Sequence, residues 1–273
     1  MTYSHVLTGT DGSHTAARAV DAASRVAAGL GVPVVVVTAW QRDRADAPPL
    51  SEEASYPGGS ANAMDAQWAI ETTSDAAGVA RAHGVTDVRQ VQAVGAPVEA
   101  LLETVGTYPD ALLVVGTAGL SDRTERVVGN VPHQLTHHSP IDLLLCTGRS
   151  QGWRSVALAT DGSRTAARAV DRGAALARSV GATATLLTVA RSEDAGARTL
   201  EQAVARDPHL ADLDRRVVVG HDAVRGLGTV ATEHDLLVIG NKGMSGPSRL
   251  LGSVSNRLTH DITTDLLLVN TTR

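Results

Sequence analysis

The sequence predicts an α/β protein built from two tandem doubly wound parallel sheets of five strands each. Residues 10–21 (TDGSHTAARAVD) and residues 160–171 (TDGSRTAARAVD) agree at eleven of twelve positions, 150 residues apart. Each copy also alternates short aliphatic runs with amphipathic segments, which is the pattern of parallel strands joined by helical crossovers. We therefore expect one fold present twice, each half with the flavodoxin-like (Rossmann-like) strand order 3-2-1-4-5.

The composition supports this fold and excludes several classes of protein. Of the 273 residues, 43% are hydrophobic and none is Phe, so we expect aliphatic cores of the kind that buried parallel strands form. The net charge of -5 and the lack of a basic block argue against a nucleic-acid partner. The single cysteine, Cys146, excludes an intrachain disulfide. With no signal-peptide pattern and no apolar run of about 18 residues, a cytoplasmic protein with no membrane partner is predicted.

Further repeated segments place the domain boundary. Residues 112–116 (LLVVG) parallel residues 236–240 (LLVIG), and residues 141–146 (IDLLLC) parallel residues 264–269 (TDLLLV). The polar stretch 147–152 lies between the copies, which predicts two domains, at residues 1–148 and 153–273. The first copy is longer because of a segment rich in Pro and Gly, residues 41–60, which is typical of an exposed loop.

The hydrophobic pattern places the elements of the first copy, and the second copy repeats their order with shorter connections. The expected strands are residues 4–10, 32–39, 88–94, 111–116 and 142–146. The expected helices are residues 13–29, 61–83, 97–107 and 130–138.

The strand ends carry the candidate ligand site. In doubly wound sheets, ligands bind beyond the carboxyl ends of the strands where the strand order reverses. Strand one of each copy ends in an Asp-Gly-Ser turn, and strand four ends in a Gly-x-x-Gly turn whose backbone N–H groups can approach a phosphate. A third glycine precedes the next helix, whose N-terminus also favours phosphate. The competing interpretation is that Asp-Gly-Ser only caps a helix.

The glycine spacing resembles that of the universal stress protein family, once in each half. That family has Gly, two residues, Gly, nine residues, then Gly followed by Ser or Thr. The first copy keeps this spacing from Gly116 to Gly129, but Asn130 replaces the small hydroxyl residue. The second copy has eight residues instead of nine after its second glycine and keeps the hydroxyl at Ser253. The chain is therefore identified as similar to a tandem universal stress protein.

The resemblance implies an ATP site in each half, with magnesium as an optional companion ion. Asp11 and Asp161 would contact the adenosine, and Ala39 and Val189 would meet adenine through backbone atoms. The glycines after strand three, Gly95 and Gly220, would flank the ribose and base. The phosphates would be lined by Gly116, Gly119, Gly129, Asn130, Val131, Gly240, Gly243, Gly252, Ser253 and Val254.

The implied function is an ATP-binding regulator of stress or growth adaptation that is not an enzyme. At most slow ATP hydrolysis is expected, because no base or arginine finger is evident for in-line attack, and no metal site is predicted. The alternatives are an interaction module with decayed pockets and, less favoured, an active hydrolase or transferase. The loop at residues 240–252 carries two cations and no acid, whereas the charges of residues 116–129 cancel. The second copy should therefore bind ATP at least as well as the first.

The aliphatic last strands predict how the halves meet. Such strands at a sheet edge invite pairing, and in this family they pair between domains. We expect an intrachain pseudo-dimer through these strands, and a homodimer of chains is compatible with the sequence.

Overall fold

The computed structural model describes residues 3–41, 61–117, 131–148, 152–241, 253–261 and 263–271. The first half contains β1 (His5–Gly9), α1 (His14–Leu30), β2 (Val34–Trp40), α2 (Ala61–Ala82), β3 (Val88–Val94), α3 (Pro97–Thr107), β4 (Ala111–Gly116), α4 (Val131–His138) and β5 (Asp142–Cys146). The second half contains β6 (Ser155–Ala159), α5 (Arg164–Ser179), β7 (Thr183–Ala190), α6 (Glu193–Arg206), a 3-10 turn (Pro208–Leu210), β8 (Asp214–Val219), α7 (Ala223–Ala231), β9 (Leu236–Asn241), α8 (Ser253–Asp261) and β10 (Asp265–Asn270).

The ten strands form a single sheet in the order β3-β2-β1-β4-β5-β10-β9-β6-β7-β8. Each half has the predicted order 3-2-1-4-5 with parallel pairing. The two halves meet where β5 and β10 pair antiparallel, with Leu143 opposite Leu268 and Leu145 opposite Leu266. The fold class is confirmed, with the two expected sheets joined edge to edge. The pairing of the last strands is confirmed as well, and the homodimer of chains stays a prediction.

The burial of the central strands explains why they pair. Every residue of β5 and β10 is buried. An unpaired edge made of such strands would expose aliphatic side chains and unsatisfied backbone groups. The outer strands of the sheet, β3 and β8, instead begin with exposed polar side chains such as Arg89 and Arg215. Charged side chains on an edge strand oppose further pairing.

The helices cover both faces of the sheet. One core lies under α1, α2, α5 and α6, and the other lies under α3, α4, α7 and α8. Each core runs through both halves of the chain. Helices α1 and α5 cross where a side chain on Gly29 would collide with the carbonyl oxygen of Ser179, 150 residues later. Among the described helices, none is long and apolar enough to cross a membrane.

Both Asp-Gly-Ser turns cap the helix that follows them. Ser13 accepts a hydrogen bond from the N–H of Ala16 at the start of α1, and Ser163 does the same for α5. The preceding aspartates each accept the N–H of this serine at 2.9 Å. The glycine between them has a φ of 75° in the first copy and 78° in the second, which explains why glycine occupies it. The repeated block is therefore a structural cap in both halves, whatever else its aspartates bind.

A buried carboxylate, Asp142, fastens the first half to the second. It begins β5 and is 1% exposed. Its Oδ2 accepts hydrogen bonds from the Tyr3 hydroxyl at 2.7 Å and the Arg172 guanidinium at 2.5 Å, and its Oδ1 accepts the N–H of Asn270 at 2.7 Å. Burial, followed by the neighbouring carboxylate, raises the pKa of Tyr3 well above its usual value. We call this group the Asp142 junction.

The equivalent carboxylate of β10, Asp265, makes the reciprocal contact. Its Oδ1 accepts the N–H of Thr147 at 2.8 Å, and its Oδ2 accepts the indole N–H of Trp153 at 2.9 Å. Trp153 stands 150 residues after Tyr3, so the two junctions are related by the repeat. The residue equivalent to Arg172 is Ala22, and no described cation pairs with Asp265. Burial raises the pKa of Asp265 despite its donors. We call this group the Asp265 junction.

Candidate functional site

A cavity of about 320 Å³ lies in the second half, at the carboxyl ends of β6, β7 and β9. Strand β6 pairs with β7 on one side and with β9 on the other, so the strand order reverses here. The cavity therefore occupies the place where a doubly wound sheet binds its ligand. Its size lies within the range of about 300–1,000 Å³ that is usual for small-molecule sites.

One wall of the cavity is rich in hydroxyl groups and comes from the turn between β6 and α5. Thr160 Oγ1 accepts the N–H of Gly162 at 3.1 Å, and the hydroxyl oxygens of Ser163 and Thr165 lie 2.9 Å apart. Asp161 is the only charged side chain among the described lining residues. Its Oδ1 already accepts the N–H of Ser163. A carboxylate and three hydroxyls can bind the hydroxyl groups of a sugar.

The opposite wall is apolar. It is formed by Val189 at the end of β7, Leu227 of α7, Ile239 of β9 and Val254 of α8. Gly226 allows α7 to approach this wall closely, because a Cβ atom there would lie 2.9 Å from Val189 Cγ2. Apolar walls with a few convergent polar groups are typical of sites that bury a flat ring.

The end of β9 and the start of α8 complete the site. Gly240 and Ser255 line the cavity, and the Ser255 hydroxyl donates to the carbonyl oxygen of Gly240 at 3.4 Å. The first turn of an α-helix has backbone N–H groups without partners inside the helix. Helix α8 begins at Ser253, so its first N–H groups lie beside the cavity wall formed by Val254. This end of the cavity suits an anion.

The structure brings four predicted residues of the second half together around the cavity: Asp161, Val189, Gly240 and Val254. Gly220 stands just outside the lining, where its N–H donates to the carbonyl oxygen of Ala190. Ser253 is the first residue of α8, while Gly243 and Gly252 fall outside the described residues. The role of each residue toward a ligand stays a prediction.

In the first half, the predicted residues stand at the equivalent strand and helix ends. Asp11 and Ala39 lie at the ends of β1 and β2, Gly95 follows β3 with a φ of 139°, and Val131 begins α4. Gly116 ends β4 against α1, where a Cβ atom would lie 2.7 Å from the Thr15 carbonyl oxygen. The fold thus requires a glycine at position 116 for close packing. The remaining predicted residues, Gly119, Gly129 and Asn130, fall outside the described residues.

No set of metal ligands comes together in the described ranges. Groups of three or more His, Cys, Asp or Glu side chains that could hold an ion are absent there. The rings of His133 and His137 are tilted against each other, with centroids 4.9 Å apart. Cys146 is buried, and burial raises the pKa of its thiol well above the usual value, which disfavours a reactive thiolate.

Sequence reasoning missed both junctions. A signal was present, because an Asp stands at the head of each aliphatic last strand, in residues 141–146 and again in residues 264–269. A charged residue that begins a fully buried strand needs a partner, and its repetition indicates a structural role.

Comparisons with known proteins agree with this fold. The model of the universal stress protein family matches residues 2–147 and again residues 152–270. Universal stress protein Rv1636 of Mycobacterium tuberculosis is 34% identical over 145 residues, which cover 52% of this chain and 95% of that protein.

A solved structure shows the same architecture. A universal stress protein from Archaeoglobus fulgidus DSM 4304 has a TM-score of 0.74 at 15% identity and covers 99% of this chain and 100% of its own. A universal stress protein in complex with cAMP is 30% identical, covers 54% of this chain and 99% of its own, and has a TM-score of 0.45. Because the family model matches nearly the whole chain in two consecutive copies, this chain belongs to the universal stress protein family.

Proposed function

We propose that this chain binds ATP in the cavity of its second half and acts in the cytoplasm as a nucleotide-dependent regulator of stress or growth adaptation. The observation that carries the proposal is the cavity itself. At the point where the strand order reverses, it sets a wall of hydroxyls and one carboxylate against an apolar wall, with a glycine and a helix start at one end. These three surfaces suit the three parts of a nucleotide: the polar wall suits the sugar, the apolar wall suits the base, and the glycine and helix start suit the phosphates.

The walls suggest how the nucleotide lies. Adenine would pack between Val189 and Leu227, and the ribose hydroxyls would donate to Asp161. The phosphates would lie toward Gly240 and the first turn of α8, where backbone donors favour negative charge. Magnesium, when bound, would neutralise phosphate charge, and Asp161 is the described carboxylate that could also serve as its ligand.

The lining favours binding over catalysis. Among the described lining residues, there is no His, Lys, Arg, Cys or Tyr, so Asp161 is the only candidate general base. Phosphoryl transfer needs an oriented nucleophile and cationic groups on the leaving phosphate. We therefore propose a binding protein that hydrolyses ATP slowly at most. Purified chain incubated with ATP and magnesium should release phosphate well below the roughly 1 s⁻¹ at the lower end of ordinary enzymes.

The binding proposal is tested by titrating the purified full chain with ATP in a calorimeter. Asp161→Asn keeps an acceptor for the Ser163 N–H and removes the charge, so the cap remains while the ribose contact weakens. ATP affinity should fall about tenfold, the usual cost of losing a hydrogen bond to a charged group. Asp11→Asn makes the same change in the first half and is the matched control.

The outcomes separate the hypotheses. Absence of ATP binding at millimolar concentration would contradict the proposal and favour an interaction module. A larger effect of Asp11→Asn would move the principal site to the first half. Titration with cAMP in the same assay shows whether a cyclic monophosphate competes with ATP.

A further inference from the structure

An ion pair crosses the rim of the second-half cavity between the two helices of its apolar wall. Arg257 Nη2 lies 3.5 Å from Asp222 Oδ2. Arg257 follows the lining residue Val254 by one turn of α8, and Asp222 directly precedes the lining residue Ala223 of α7. The pair therefore stands beside the cavity, at the edge where α7 and α8 approach each other.

The first half has no equivalent pair. The position before α3 that corresponds to Asp222 is Ala96, and the position in α4 that corresponds to Arg257 is Gln134. The fold itself does not require the pair, because the first half forms the same helices without it. The charges beside the cavity therefore distinguish the second half from the first.

The Asp222 carboxylate is held in place by hydrogen bonds that do not involve Arg257. Its Oδ1 accepts the N–H groups of Val224 at 2.9 Å and Arg225 at 3.3 Å, which caps α7. The backbone hydrogen bond from Arg225 is the largest cause that lowers the pKa of Asp222, so the group is ionised at neutral pH. The carboxylate thus offers Arg257 a fixed negative charge, but its position does not depend on the arginine.

The guanidinium of Arg257 is bound only weakly by Asp222. The side chains of Arg257 and Asp222 are 61% and 46% exposed, and a single 3.5 Å contact between such groups contributes little in water. A phosphate can bind Arg257 more strongly than this single contact does, because the planar guanidinium can donate two parallel hydrogen bonds to the phosphate oxygens. An arriving phosphate can therefore displace the carboxylate as the partner of Arg257.

We propose that Arg257 is a ligand-positioning residue that selects nucleotides carrying two or three phosphates, a proposal that rests on the proposed function of this cavity. In the ligand-free protein its guanidinium pairs with Asp222. When a nucleoside di- or triphosphate binds, the guanidinium leaves Asp222 and donates to the outer phosphate oxygens. Adenosine has no phosphate for the guanidinium to bind, and the negative charge of Asp222 disfavours anions that do not pair with Arg257. The rim thereby discriminates by phosphate number, and the apolar wall recognises the base.

The test is titration of the full chain with ATP and, separately, with adenosine at physiological salt. Arg257→Gln installs the residue of the first half and should weaken ATP binding about five- to tenfold, because an exposed charge-assisted pair is lost. Adenosine affinity should change less than about twofold, since no charged contact to it is removed. Asp222→Asn keeps a capping side chain and removes the competing charge, so ATP affinity should rise about two- to threefold.

Arg215→Gln is the matched control, because it removes the same charge at the opposite end of β8. Its ATP affinity should stay within about twofold of wild type. An equal loss for ATP and adenosine in Arg257→Gln would indicate a structural role, and an equal loss in Arg215→Gln would indicate a general charge effect. Either result overturns the inference. If wild type binds ATP and Arg257→Gln binds it equally well, only this inference fails, whereas absence of binding in wild type contradicts the proposed function itself.

Discussion

The two halves share one backbone plan but differ in the charges placed upon it. The Asp142 junction has a cation, Arg172, whereas no cation among the described residues pairs with Asp265. At the rim of the cavity the second half carries the Asp222–Arg257 pair, while the first half has an alanine and a glutamine at these positions. The duplicated halves therefore share what the fold needs, while their electrostatics differ.

The preserved features are those with a structural use. The repeated Asp-Gly-Ser turn caps α1 and α5 with the same hydrogen bonds, and Gly116 is required where β4 meets α1. A motif that the fold needs will survive in a copy that no longer binds anything. The strength of the repeated motif is therefore not a measure of ligand binding, and the matched variants below separate structural roles from binding roles.

Removing the carboxylate of either junction should cost the most stability. Asp142→Ala leaves the guanidinium of Arg172 without its partner and should lower the free energy of unfolding by about 3–5 kcal/mol. Among the described residues, Asp265→Ala leaves neutral donors unpaired, chiefly the Trp153 indole, and should cost about 1–3 kcal/mol. Urea unfolding of both variants measures the difference. Equal losses would mean that the cation adds nothing to the junction.

The next comparison concerns Gly116, the last residue of β4, and Gly240, the last but one residue of β9. Gly116→Ala places a Cβ atom 2.7 Å from the Thr15 carbonyl oxygen, so overpacking should cost about 1–3 kcal/mol. At Gly240 the nearest atom would be Thr271 Cγ2 at 3.1 Å, a side chain after the last strand that can shift. Gly240→Ala should therefore cost less than about 1 kcal/mol.

Thermal unfolding of both variants measures these costs. If Gly240→Ala is as unstable as Gly116→Ala, the end of β9 is packed as tightly as the end of β4. If it is stable, it becomes a clean probe of phosphate binding, which Gly116→Ala cannot be because its fold is strained.

Much of the fold could be predicted because its signals are local. Aliphatic runs and caps placed all nine elements of the first half within two residues of their observed bounds, with α4 beginning at Val131. Topology then predicted Asp161 and Gly240 as neighbours, since parallel strands end at one edge of the sheet, and the family resemblance added Val189 and Val254.

The unpredicted contacts depend on geometry that no local pattern encodes. Asp142 meets the N–H of Asn270 across 128 residues, and this contact requires the antiparallel pairing of β5 with β10 in one particular register. The Asp222–Arg257 pair depends on how α7 and α8 approach each other. Charges that meet between elements follow from the tertiary structure, so a sequence reveals the residues but not their pairing.

The pH dependence of stability reports on the buried carboxylate of the Asp265 junction. Burial raises the pKa of Asp265 in the folded chain above the unfolded value of about 3.9. The folded state therefore binds the proton of the Asp265 carboxyl more tightly than the unfolded state does. The resulting contribution to stability is complete at pH values below the pKa of this carboxyl in the unfolded chain. This contribution is lost as the pH rises through the pKa of Asp265 in the folded chain.

The comparison with Asp265→Asn, which cannot titrate, isolates this contribution. The free energy of unfolding of wild type minus that of the variant should fall as the pH rises from about 4 toward neutrality. Urea unfolding at a series of pH values measures it. A difference that does not change with pH would contradict the raised pKa and imply that the donors of Thr147 and Trp153 fully offset burial.

The smallest expected effect concerns the helix caps that precede α3 and α7. Asp222 caps α7, whereas Ala96 precedes α3 with extended backbone angles (φ -68°, ψ 142°) and no side-chain hydrogen bond. Ala96→Ser should raise the free energy of unfolding by about 1 kcal/mol, because the serine hydroxyl can accept from the first turn. Glu99 stands three residues later and would complete a capping box.

The control for this prediction is Ala96→Asp, a variant whose capping side chain is charged. Ala96→Asp offers the same acceptor, but its carboxylate faces Glu99 in the first turn, so it should stabilise less than Ala96→Ser. In the second half, Asp222→Ala should lower the free energy of unfolding by about 1 kcal/mol. Urea unfolding measures all three variants. If Ala96→Ser brings no gain while Asp222→Ala brings the expected loss, then Pro97 already fixes the start of α3, and the two halves use different means to begin the same helix.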